Sequence, residues 1–391
     1  MKWTNKCNES FLNQKNINNI DNDAKFCIYG AGKLGEDLYK TLKHYDMFFC
    51  FIDNNHSIQE KGYKNEAVIS ENEYFKKEIK YPVIICASDK NTLLIESDLK
   101  NRGLIHNKNY YIFREFTDKL LPIIAYKFFN EIFMSLSQIC VTERCTLRCK
   151  KCAHGCYNVP ITKDDMTLEQ VKKSADIFFS KVDYIQEFVL IGGEPLLYKY
   201  LTDAVEYIGS KYRNQMSVFS ITSNGTITPS KDLLEKCKEY GVLFRISNYS
   251  GTISKLELQY EKLRKLFITN NVEFRISRKE HEWMDYGFDY YKRECDNEQL
   301  INVFDACGTP CHEIRENKFY YCVMARSVAD NLSVNVGKED YLDFEKLSGD
   351  NWRRELLEFI MGYSEKGYLD MCRYCHGAES YEYPIPAAEQ L

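Results

Sequence analysis

Three features that would point to other classes of protein are missing from this sequence. No run of about eighteen apolar residues occurs, so no segment is predicted to cross a membrane. The opening residues, MKWTNK, contain no apolar stretch of the kind that directs secretion. Lysine and arginine form no block, and the formal net charge of −5 gives no basic surface for a nucleic acid. We therefore expect a cytoplasmic protein that binds neither membranes nor nucleic acids.

Cysteine, by contrast, is abundant, with 16 residues in the chain. Without a secretory signal these thiols are not expected to form disulfides, and they indicate metal or iron–sulfur chemistry instead. Half of them fall into two groups, which are described below. The others lie scattered, mostly in apolar runs, and most are predicted to be small core side chains: Cys7, Cys27, Cys50, Cys86, Cys140, Cys156, Cys237 and Cys295.

The first group, Cys145-Thr-Leu-Arg-Cys149-Lys-Lys-Cys152, places three thiolates on one short loop. Three is one thiolate short of a closed tetrahedral zinc site and of an all-cysteine [4Fe–4S] cube. A four-iron cube held in this way leaves one iron open to an outside ligand. The segment before the loop, 139–142, is predicted to be a strand. About forty residues further on, an apolar run ends in the tetrapeptide Gly-Gly-Glu-Pro, 192–195.

Together the C-x3-C-x2-C and G-G-E-P motifs resemble those of the radical S-adenosylmethionine (SAM) superfamily. The resemblance implies that Cys145, Cys149 and Cys152 hold a [4Fe–4S] cluster whose open iron binds the amino and carboxylate groups of SAM. One electron from the reduced cluster then releases a 5′-deoxyadenosyl radical, which takes a hydrogen atom from a substrate. The position before the third cysteine is usually aromatic in the family but is Lys151 here, so the adenine contact stays unassigned. For the three cysteines alone, zinc binding is the alternative.

From residue 136 to about residue 300, strand and helix patterns alternate, which predicts a parallel sheet with helical crossovers. This alternation resembles the partial (β/α)6 barrel of radical SAM enzymes, in which the site lies at the carboxyl ends of the strands. The resemblance implies these SAM contacts: Gly192, Gly193, Glu194, Pro195, Ser223, Asn224, Arg245 and Ser247. For Arg245 a structural salt bridge is an equal alternative. His154 is expected to support a ligand through a hydrogen bond or to lie on the surface.

Near the start of the chain, an apolar strand runs into Gly30-Ala-Gly32-Lys-Leu-Gly35, and a helix and a second strand ending at Asp53 follow. Such a unit is typical of dinucleotide-binding folds, in which the glycines let the backbone approach a pyrophosphate. Residues 25–106 also resemble the N-terminal domain of bacterial sugar O-acyltransferases, which binds a nucleotide-sugar. These patterns imply a nucleotide site at Gly30, Gly32, Gly35, Asp53 and Ser88. The alternative is an empty scaffold, because a tight strand–helix turn needs glycines without any ligand.

The last third of the chain carries the second cysteine group: Cys307, Cys311, Cys322, Cys372 and Cys375. Its spacing resembles the C-x9–15-G-x4-C signature of the SPASM and twitch extensions of radical SAM enzymes, with Asn317 in place of glycine. The resemblance implies one auxiliary [4Fe–4S] cluster on four of the five cysteines, with Cys311 either replacing Cys307 or binding nothing. A structural zinc is the alternative. A hairpin is predicted over 313–324, with Asn317 suited to a left-handed turn position.

We therefore predict an α/β enzyme in which a partial (β/α)6 radical SAM barrel follows a small Rossmann-like domain and precedes an iron–sulfur domain. The segments are 1–24, a flexible lead-in; 25–115, Rossmann-like; 116–135, a helical connector; 136–300, the barrel; and 301–391, the twitch/SPASM-like domain. The enzyme is expected to be oxygen-sensitive and to receive electrons from a flavodoxin- or ferredoxin-type donor.

The first hypothesis for its substrate is a (nucleotide-)sugar in surface polysaccharide or natural-product biosynthesis. Hydrogen abstraction would then lead to oxidation, epimerisation or deoxygenation. A peptide-modifying SPASM enzyme is the alternative, because most SPASM relatives act on peptides. A zinc-dependent binding module is the non-enzymatic alternative.

Overall fold

The computed structural model describes residues 20, 23–279, 282–287, 294–308, 311–334 and 336–391. The chain divides into two compact units, one within residues 8–135 and the other containing residues 136–391. The predicted lead-in, 1–24, falls almost entirely outside the described residues, and the division into five segments stays a prediction. Within the described part of the chain, no helix is long and apolar enough to span a bilayer.

The first unit is built on a five-stranded parallel sheet. Its strands are β1 (Phe26–Tyr29), β2 (Phe48–Ile52), β3 (Val68–Ile69), β4 (Val83–Ile85) and β5 (Tyr110–Ile112). Its helices are α1 (Lys33–His44), α2 (His56–Lys61), α3 (Glu71–Lys76), α4 (Asp89–Asn101) and α5 (113–129), the last alternating α- and π-helical turns. The strand order is β3-β2-β1-β4-β5. This order is that of doubly wound sheets, in which the switch point between β1 and β4 is the usual ligand site.

The second unit is built on an eight-stranded sheet. Its strands are β6 (Phe133–Thr142), β7 (Tyr184–Gly192), β8 (Met216–Ser223), β9 (Val242–Ile246), β10 (Phe274–Ile276), β12 (His312–Arg315), β13 (Lys318–Tyr320) and β14 (Tyr341–Asp343). The order is β10-β9-β8-β7-β6-β12-β13-β14, with β12 parallel to β6 and antiparallel to β13. A separate pair joins β11 (Glu282–Met284) and β15 (Pro384–Pro386).

The series β6 to β10 follows chain order, as the alternating pattern predicts. A sixth strand of the predicted (β/α)6 barrel does not continue this series within the described residues, because β11 pairs with β15 and β12 joins the opposite edge, beside β6. The C-terminal third therefore extends the same sheet. This placement brings the hairpin of the second cysteine group into one layer with the strand that leads to the first group.

Along the chain, most helices of the second unit follow one parallel strand of its sheet and precede the next. They are α6 (Leu168–Phe179), α7 (Leu201–Tyr212), α8 (Lys231–Glu239), α9 (Leu256–Asn270), α10 (Asn297–Ala306), α11 (Val323–Leu332) and α12 (Trp352–Ile360). Thr167 caps α6, and Gln170 completes the capping box that the sequence predicts. Apolar faces of α6 and β7 meet in the core, where Phe178 and Phe188 are fully buried with ring centres 5.1 Å apart.

The segment 116–135, predicted to be a helical connector, is helical only as far as Phe129. Asn130 has the left-handed conformation (φ 54°) that commonly ends a helix, and β6 already begins at Phe133. The apolar character of the stretch therefore reflects two kinds of element rather than one helix.

The predicted hairpin exists as the antiparallel pair β12–β13, but it is shorter than 313–324 because α11 begins at Val323. Its left-handed residue is Glu316 (φ 53°) rather than Asn317. Asn317 instead donates its side-chain amide to Asp343 at 2.7 Å. The Asn317 side chain thus contacts β14, and the left-handed turn position belongs to Glu316.

Candidate functional site

The three cysteines of the first group lie on the loop that directly follows β6, whose last residue is Thr142. Two contacts fix the start of this loop. The Thr142 hydroxyl donates to Asp165 at 2.5 Å, and Arg144 donates to both oxygens of the same carboxylate, with Nε at 2.9 Å. The loop therefore leaves the sheet from an anchored end.

Gly192 and Gly193 lie where the end of β7 passes the start of this loop. Gly193 N donates to Thr142 O at 2.8 Å, and Glu194 N donates to Arg144 O at 2.8 Å. A Cβ on Gly192 would lie 2.2 Å from Thr142 O, and one on Gly193 would lie 2.3 Å from Arg144 O. No side chain fits at these distances, so both glycines are required by the close approach of two backbones. The G-G-E-P turn is thereby part of the support of the cysteine loop.

The carboxylate of Glu194 is fully buried and accepts hydrogen bonds from the end of β8. Ser223 Oγ donates to it at 2.9 Å, as do Asn224 N at 2.9 Å and Leu196 N at 3.1 Å. Burial nevertheless raises the pKa of Glu194 to about 7. A positive charge beside such a group favours its ionised form, so the site suits a cationic ligand.

Amide groups from distant parts of the chain reach two of the three thiols. Asn224 Nδ2 lies 3.5 Å from Cys145 Sγ, and Leu147 N lies 3.4 Å from the same atom. Gln390 Nε2 lies 3.2 Å from Cys149 Sγ. Burial raises the pKa of Cys145 to about 11 and that of Cys149 to about 12. A bound metal would have to offset this cost of burial before either thiolate could form.

The third thiol, Cys152, has a different environment. The Cys156 thiol and the backbone N–H groups of 154–156 lower the pKa of Cys152 to about 7. Next to it, burial lowers the pKa of His154 to about 4, and its Nδ1 is buried without a hydrogen-bond partner. The carbonyl oxygen of His154 accepts from Asn331 Nδ2 at 2.7 Å. The His154 ring is therefore not on the surface, which was one of the two expectations for this residue.

Two cations near the predicted SAM contacts are held by carboxylates. Lys151, at the usual aromatic position, lies 3.2 Å from Asp285. Arg245 donates to both oxygens of Glu187 at 2.5 and 2.7 Å, so the predicted salt-bridge alternative exists in the structure. Ser247 N donates to the backbone of the neighbouring strand end at Ser223. The role of Arg245 and Ser247 toward SAM stays a prediction.

Four of the five cysteines of the second group line one pocket, whose space of about 480 Å³ includes open solvent at its mouth. They are Cys307, Cys322, Cys372 and Cys375. Aromatic and thioether side chains complete the wall, including Tyr286, Phe304, Tyr321, Met324 and Met371. Cys311 is not among the lining residues. In the part of the chain that the structure describes, no three His, Cys, Asp or Glu side chains converge on a single ion position, so these cysteines surround a space rather than a point.

An ion network that no local pattern predicts connects α11 with the end of β6. Arg326 is 1% exposed and contacts both Glu143 and Glu313. At the other end of the helix, Asn331 donates to Glu143 at 2.9 Å. The same helix starts next to Cys322, which is its N-cap residue. One helix therefore runs from the second cysteine group to the residues beside the first. In the sequence, the signal for a buried ion pair is the arginine within a largely apolar helix, but this signal does not identify the partner carboxylates.

In the first unit, close packing requires two of the three glycines of the motif, and the third lies beside open space. Gly30 (φ 117°) would place a Cβ 2.4 Å from Cys86 O, and Gly35 would place one 2.0 Å from Gly30 O. Gly32 has ordinary backbone angles, and no atom lies within 4 Å of where its Cβ would be. The turn therefore explains Gly30 and Gly35, whereas Gly32 faces open space.

Asp53 and Ser88 lie at the same edge of this sheet. Asp53 accepts hydrogen bonds from Ala31 N and from Asn55 N, both at 2.9 Å, so its carboxylate shapes the glycine loop. Each carboxylate oxygen has a second lone pair, which leaves room for a sugar hydroxyl. Ser88 is the N-cap residue of α4, but its hydroxyl makes no capping hydrogen bond. A nucleotide site here remains a prediction.

Residues 139–256 match the family model described as the Radical SAM superfamily. These residues form a radical SAM domain. The match includes the cysteine loop, the G-G-E-P turn and the end of β8, which are the parts that the geometry brings together. For this part of the chain, the match supports the predicted resemblance to radical SAM enzymes, which use SAM and a [4Fe–4S] cluster. Its substrate is not identified by the match.

Curated proteins that are similar to part of this chain include GTP 3′,8-cyclases. Those from two strains of Rhizobium etli and one from Rhizobium leguminosarum bv. trifolii are 30% identical to this chain over 89 residues. The aligned part is 23% of this chain and 25% of each relative. The chain thus spans about a quarter of the length of the curated relatives it matches.

Solved radical SAM enzymes resemble the fold at low similarity. Native anSMEcpe with bound AdoMet is 13% identical, with a TM-score of 0.39 over 64% of this chain and 95% of that one. BtrN in complex with AdoMet and 2-DOIA is 15% identical, with a TM-score of 0.38 over 64% and 98%. Streptococcus suis SuiB bound to precursor peptide SuiA is 14% identical, with a TM-score of 0.32 over 55% and 48%. None of these values bears on the substrate of this chain.

Proposed function

We propose that this chain is a radical SAM enzyme that takes a hydrogen atom from a nucleotide-linked sugar. Its [4Fe–4S] cluster would be held by Cys145, Cys149 and Cys152, and SAM would lie against the G-G-E-P turn. Bound together, the cluster and SAM supply a 5′-deoxyadenosyl radical. The observation that carries the proposal is the buried carboxylate of Glu194, because it sits on the turn that packs against the cysteine loop.

In this proposal the residues around Glu194 have separate tasks. The carboxylate binds the ammonium group of SAM, whose positive charge brings the pKa of Glu194 down from about 7. Ser223 and Asn224 hold that carboxylate in place through two of its hydrogen bonds. Arg245, paired with Glu187, orders the neighbouring strand end rather than contacting SAM directly.

The proposed auxiliary [4Fe–4S] cluster lies in the pocket of about 480 Å³. Four of its lining residues are cysteines, which matches the number of thiolates that a closed cube requires. Cys311 is the surplus cysteine in this assignment. A structural zinc is the competing occupant, and it would have to draw four separated thiols to a single point. A flavodoxin- or ferredoxin-type protein would donate electrons to the SAM cluster.

The proposed nucleotide handle binds at the switch point of the first unit. Support comes from the open space at Gly32, which the fold itself does not require to be a glycine. Binding energy from a nucleotide remote from the reacting carbon can hold a sugar near the radical. The GTP 3′,8-cyclases that are similar to part of this chain act, by name, on a nucleotide. A peptide substrate is the alternative outcome of the test below.

The chemistry is tested by anaerobic incubation of the reconstituted protein with SAM and a strong reductant. We expect 5′-deoxyadenosine and methionine as products. Glu194→Gln keeps the shape of the side chain and the hydrogen bonds to one of its oxygens but removes its charge and one acceptor, so SAM should bind about ten-fold more weakly. Wild-type protein with a full iron content that never cleaves SAM would contradict the proposed activity.

The substrate class is tested by calorimetric titration with nucleotide-sugars, free nucleotides and peptides. Gly32→Asp is the matched variant, because it fills the open space with a charged side chain while leaving the turn intact. Binding of a nucleotide-sugar that disappears in Gly32→Asp but persists in Gly32→Ala supports the handle. Binding of peptides alone, or equal binding by all three proteins, rejects it.

A further inference from the structure

The segment 388–391 runs along the cysteine loop as a short antiparallel partner. Lys150 N donates to Glu389 O at 2.7 Å, and Leu391 N donates to Arg148 O at 2.9 Å. Between these two bonds, Cys149 and Gln390 form a bridge pair. Residues far away in the sequence therefore form backbone hydrogen bonds with the loop that carries the proposed SAM-cluster ligands.

The orientation of the Gln390 amide follows from its backbone partners. Its Oε1 accepts from Arg148 N at 2.9 Å, and its Nε2 donates to Ala388 O at 2.7 Å. If the oxygen and nitrogen of the amide were exchanged, Nε2 would face the donor Arg148 N and Oε1 would face the acceptor Ala388 O. The second N–H of Nε2 is then available to Cys149 Sγ, which lies 3.2 Å away. A side-chain amide thus points a donor at a cluster ligand.

We propose that Gln390 tunes the SAM cluster by donating an N–H hydrogen bond to the thiolate of Cys149. Hydrogen bonds to ligand sulfurs are among the factors that set the potential of an iron–sulfur cluster. Reduction adds one electron to the cluster and places more negative charge on its sulfurs. A donor stabilises that charge more than the charge of the oxidised cluster, so it raises the reduction potential.

Burial strengthens this effect, because Cys149 is only 7% exposed. A hydrogen bond to a charged group counts for more where water does not compete. Gln390 is thus a positioning and tuning residue, and it has no contact with the reacting atoms of a substrate. The inference rests on the proposed cluster at Cys145, Cys149 and Cys152.

The test is a potentiometric titration of the full-length, anaerobically reconstituted protein, followed by electron paramagnetic resonance of the reduced cluster. A variant with all three loop cysteines replaced by alanine supplies the spectrum of any second cluster. Gln390→Leu removes the donor and the acceptor. Gln390→Glu keeps the acceptor for Arg148 N but replaces the donor with a carboxylate oxygen. Glu389→Gln is the matched control, because its side chain reaches only the exposed Lys150.

We expect both Gln390 variants to have a more negative midpoint potential than wild type, whereas Glu389→Gln keeps the wild-type value. Iron content, measured on every sample, separates tuning from loss of the cluster. If Gln390→Leu loses iron, the test rests on the potential of Gln390→Glu, which keeps the hydrogen bond from Arg148 N. Unchanged potentials with full iron content would overturn this inference alone. Wild-type protein without a cluster on the three loop cysteines would overturn the proposed function as well.

Discussion

The two cysteine groups of this chain differ in what surrounds their sulfur atoms. Amide groups, including Asn224 and Gln390, approach the thiols of the first group, and the loop is anchored by hydrogen bonds of its own. The second group faces aromatic and thioether side chains, and burial raises the pKa of Cys322 and Cys372. Burial also raises the pKa of Cys145 and Cys149, so a metal has to keep buried thiolates charged in both groups, and the two groups differ in the polar support around them.

This difference gives the two groups different relations to folding. Around the first loop, the contacts of Asp165 and of the two glycines do not involve the cysteine side chains. Around the second pocket, apolar packing is joined by hydrogen bonds of backbone N–H groups, such as those from Asp370 N and Met371 N to Asp340, in the same short segment that carries Cys372 and Cys375. Loss of metal should therefore remove chemistry at the first site and stability at the second.

The largest effect is expected when Cys145, Cys149 and Cys152 are all replaced by alanine. SAM cleavage should fall below detection, because all three proposed ligands of the SAM cluster are removed. About four irons should remain, since the second group is untouched. Product analysis by chromatography and iron determination measure the two quantities.

The matched double variant, Cys372→Ala with Cys375→Ala, sharpens the contrast. It should lose about four irons and become sensitive to proteolysis in the last third of the chain, because metal binding and folding are coupled there. If the triple and double variants were equally sensitive to protease, the proposed difference between the two cysteine groups in their relation to folding would be wrong. Release of one zinc instead of about four irons would replace the auxiliary cluster with a structural metal.

Arg326→Met should destabilise the second unit by about 3–5 kcal/mol, the usual cost of removing one partner of a buried ion pair. The variant removes the buried cation between Glu143 and Glu313 and leaves Glu143 with Arg315, at 3.5 Å, as its remaining cationic partner. Urea denaturation followed by circular dichroism gives the free energy of unfolding. A smaller cost, below about 1 kcal/mol, would mean that these carboxylates reach water, as in exposed pairs.

A pH effect is expected at Asp340, which is fully buried and accepts N–H bonds from Asp370 (2.7 Å) and Met371 (3.0 Å), next to Cys372. Burial raises the pKa of Asp340 to about 6 from its ordinary value of 3.8. The protonated form is thus favoured in the folded state, and this stability is present below pH 3.8 and lost as the pH rises through about 6.

Relative to Asp340→Asn, the wild type should lose about 2 kcal/mol of unfolding free energy between pH 4 and pH 6.5. Urea denaturation of both proteins across this range measures the difference. A difference that does not vary with pH would show that the carboxyl group titrates normally. Because the variant cannot ionise at this position, effects of pH on other groups cancel in the comparison.

The smallest effect is expected for Cys311→Ala, since Cys311 is not part of the pocket lining. Its iron content should equal that of wild type. Cys307→Ala, which removes a lining residue, should lose iron from the second site. The opposite result would exchange the roles of the two cysteines, which was the alternative left open by their spacing.

Local patterns predicted much of this architecture. The alternation of strands and helices, the capping box at Thr167 and the position of the cysteine loop all depend on residues close together in sequence. The pattern also placed the left-handed turn residue one position too late, at Asn317 rather than Glu316. There, the contact of Asn317 with β14 outweighs its intrinsic preference for the turn.

Contacts between distant residues could not be read in the same way. Arg326 and Glu143 are separated by 183 positions, and nothing in either neighbourhood identifies its partner. Gly192 and Gly193 were predicted as SAM contacts from a resemblance, whereas the structure adds a steric reason that only the packing of β6 beside β7 reveals. The predicted ligand roles of these glycines stay predictions.

The bond between Gln390 and Cys149 also has a consequence for how the protein is made. The two residues are 241 positions apart, so the ribosome synthesises the cysteine loop long before its amide donor. At the usual rate of synthesis this delay is roughly 10 to 50 s. Iron delivered to the nascent chain in that interval would meet a loop whose second cysteine still lacks its partner. Cluster insertion is therefore best timed after translation has passed residue 390.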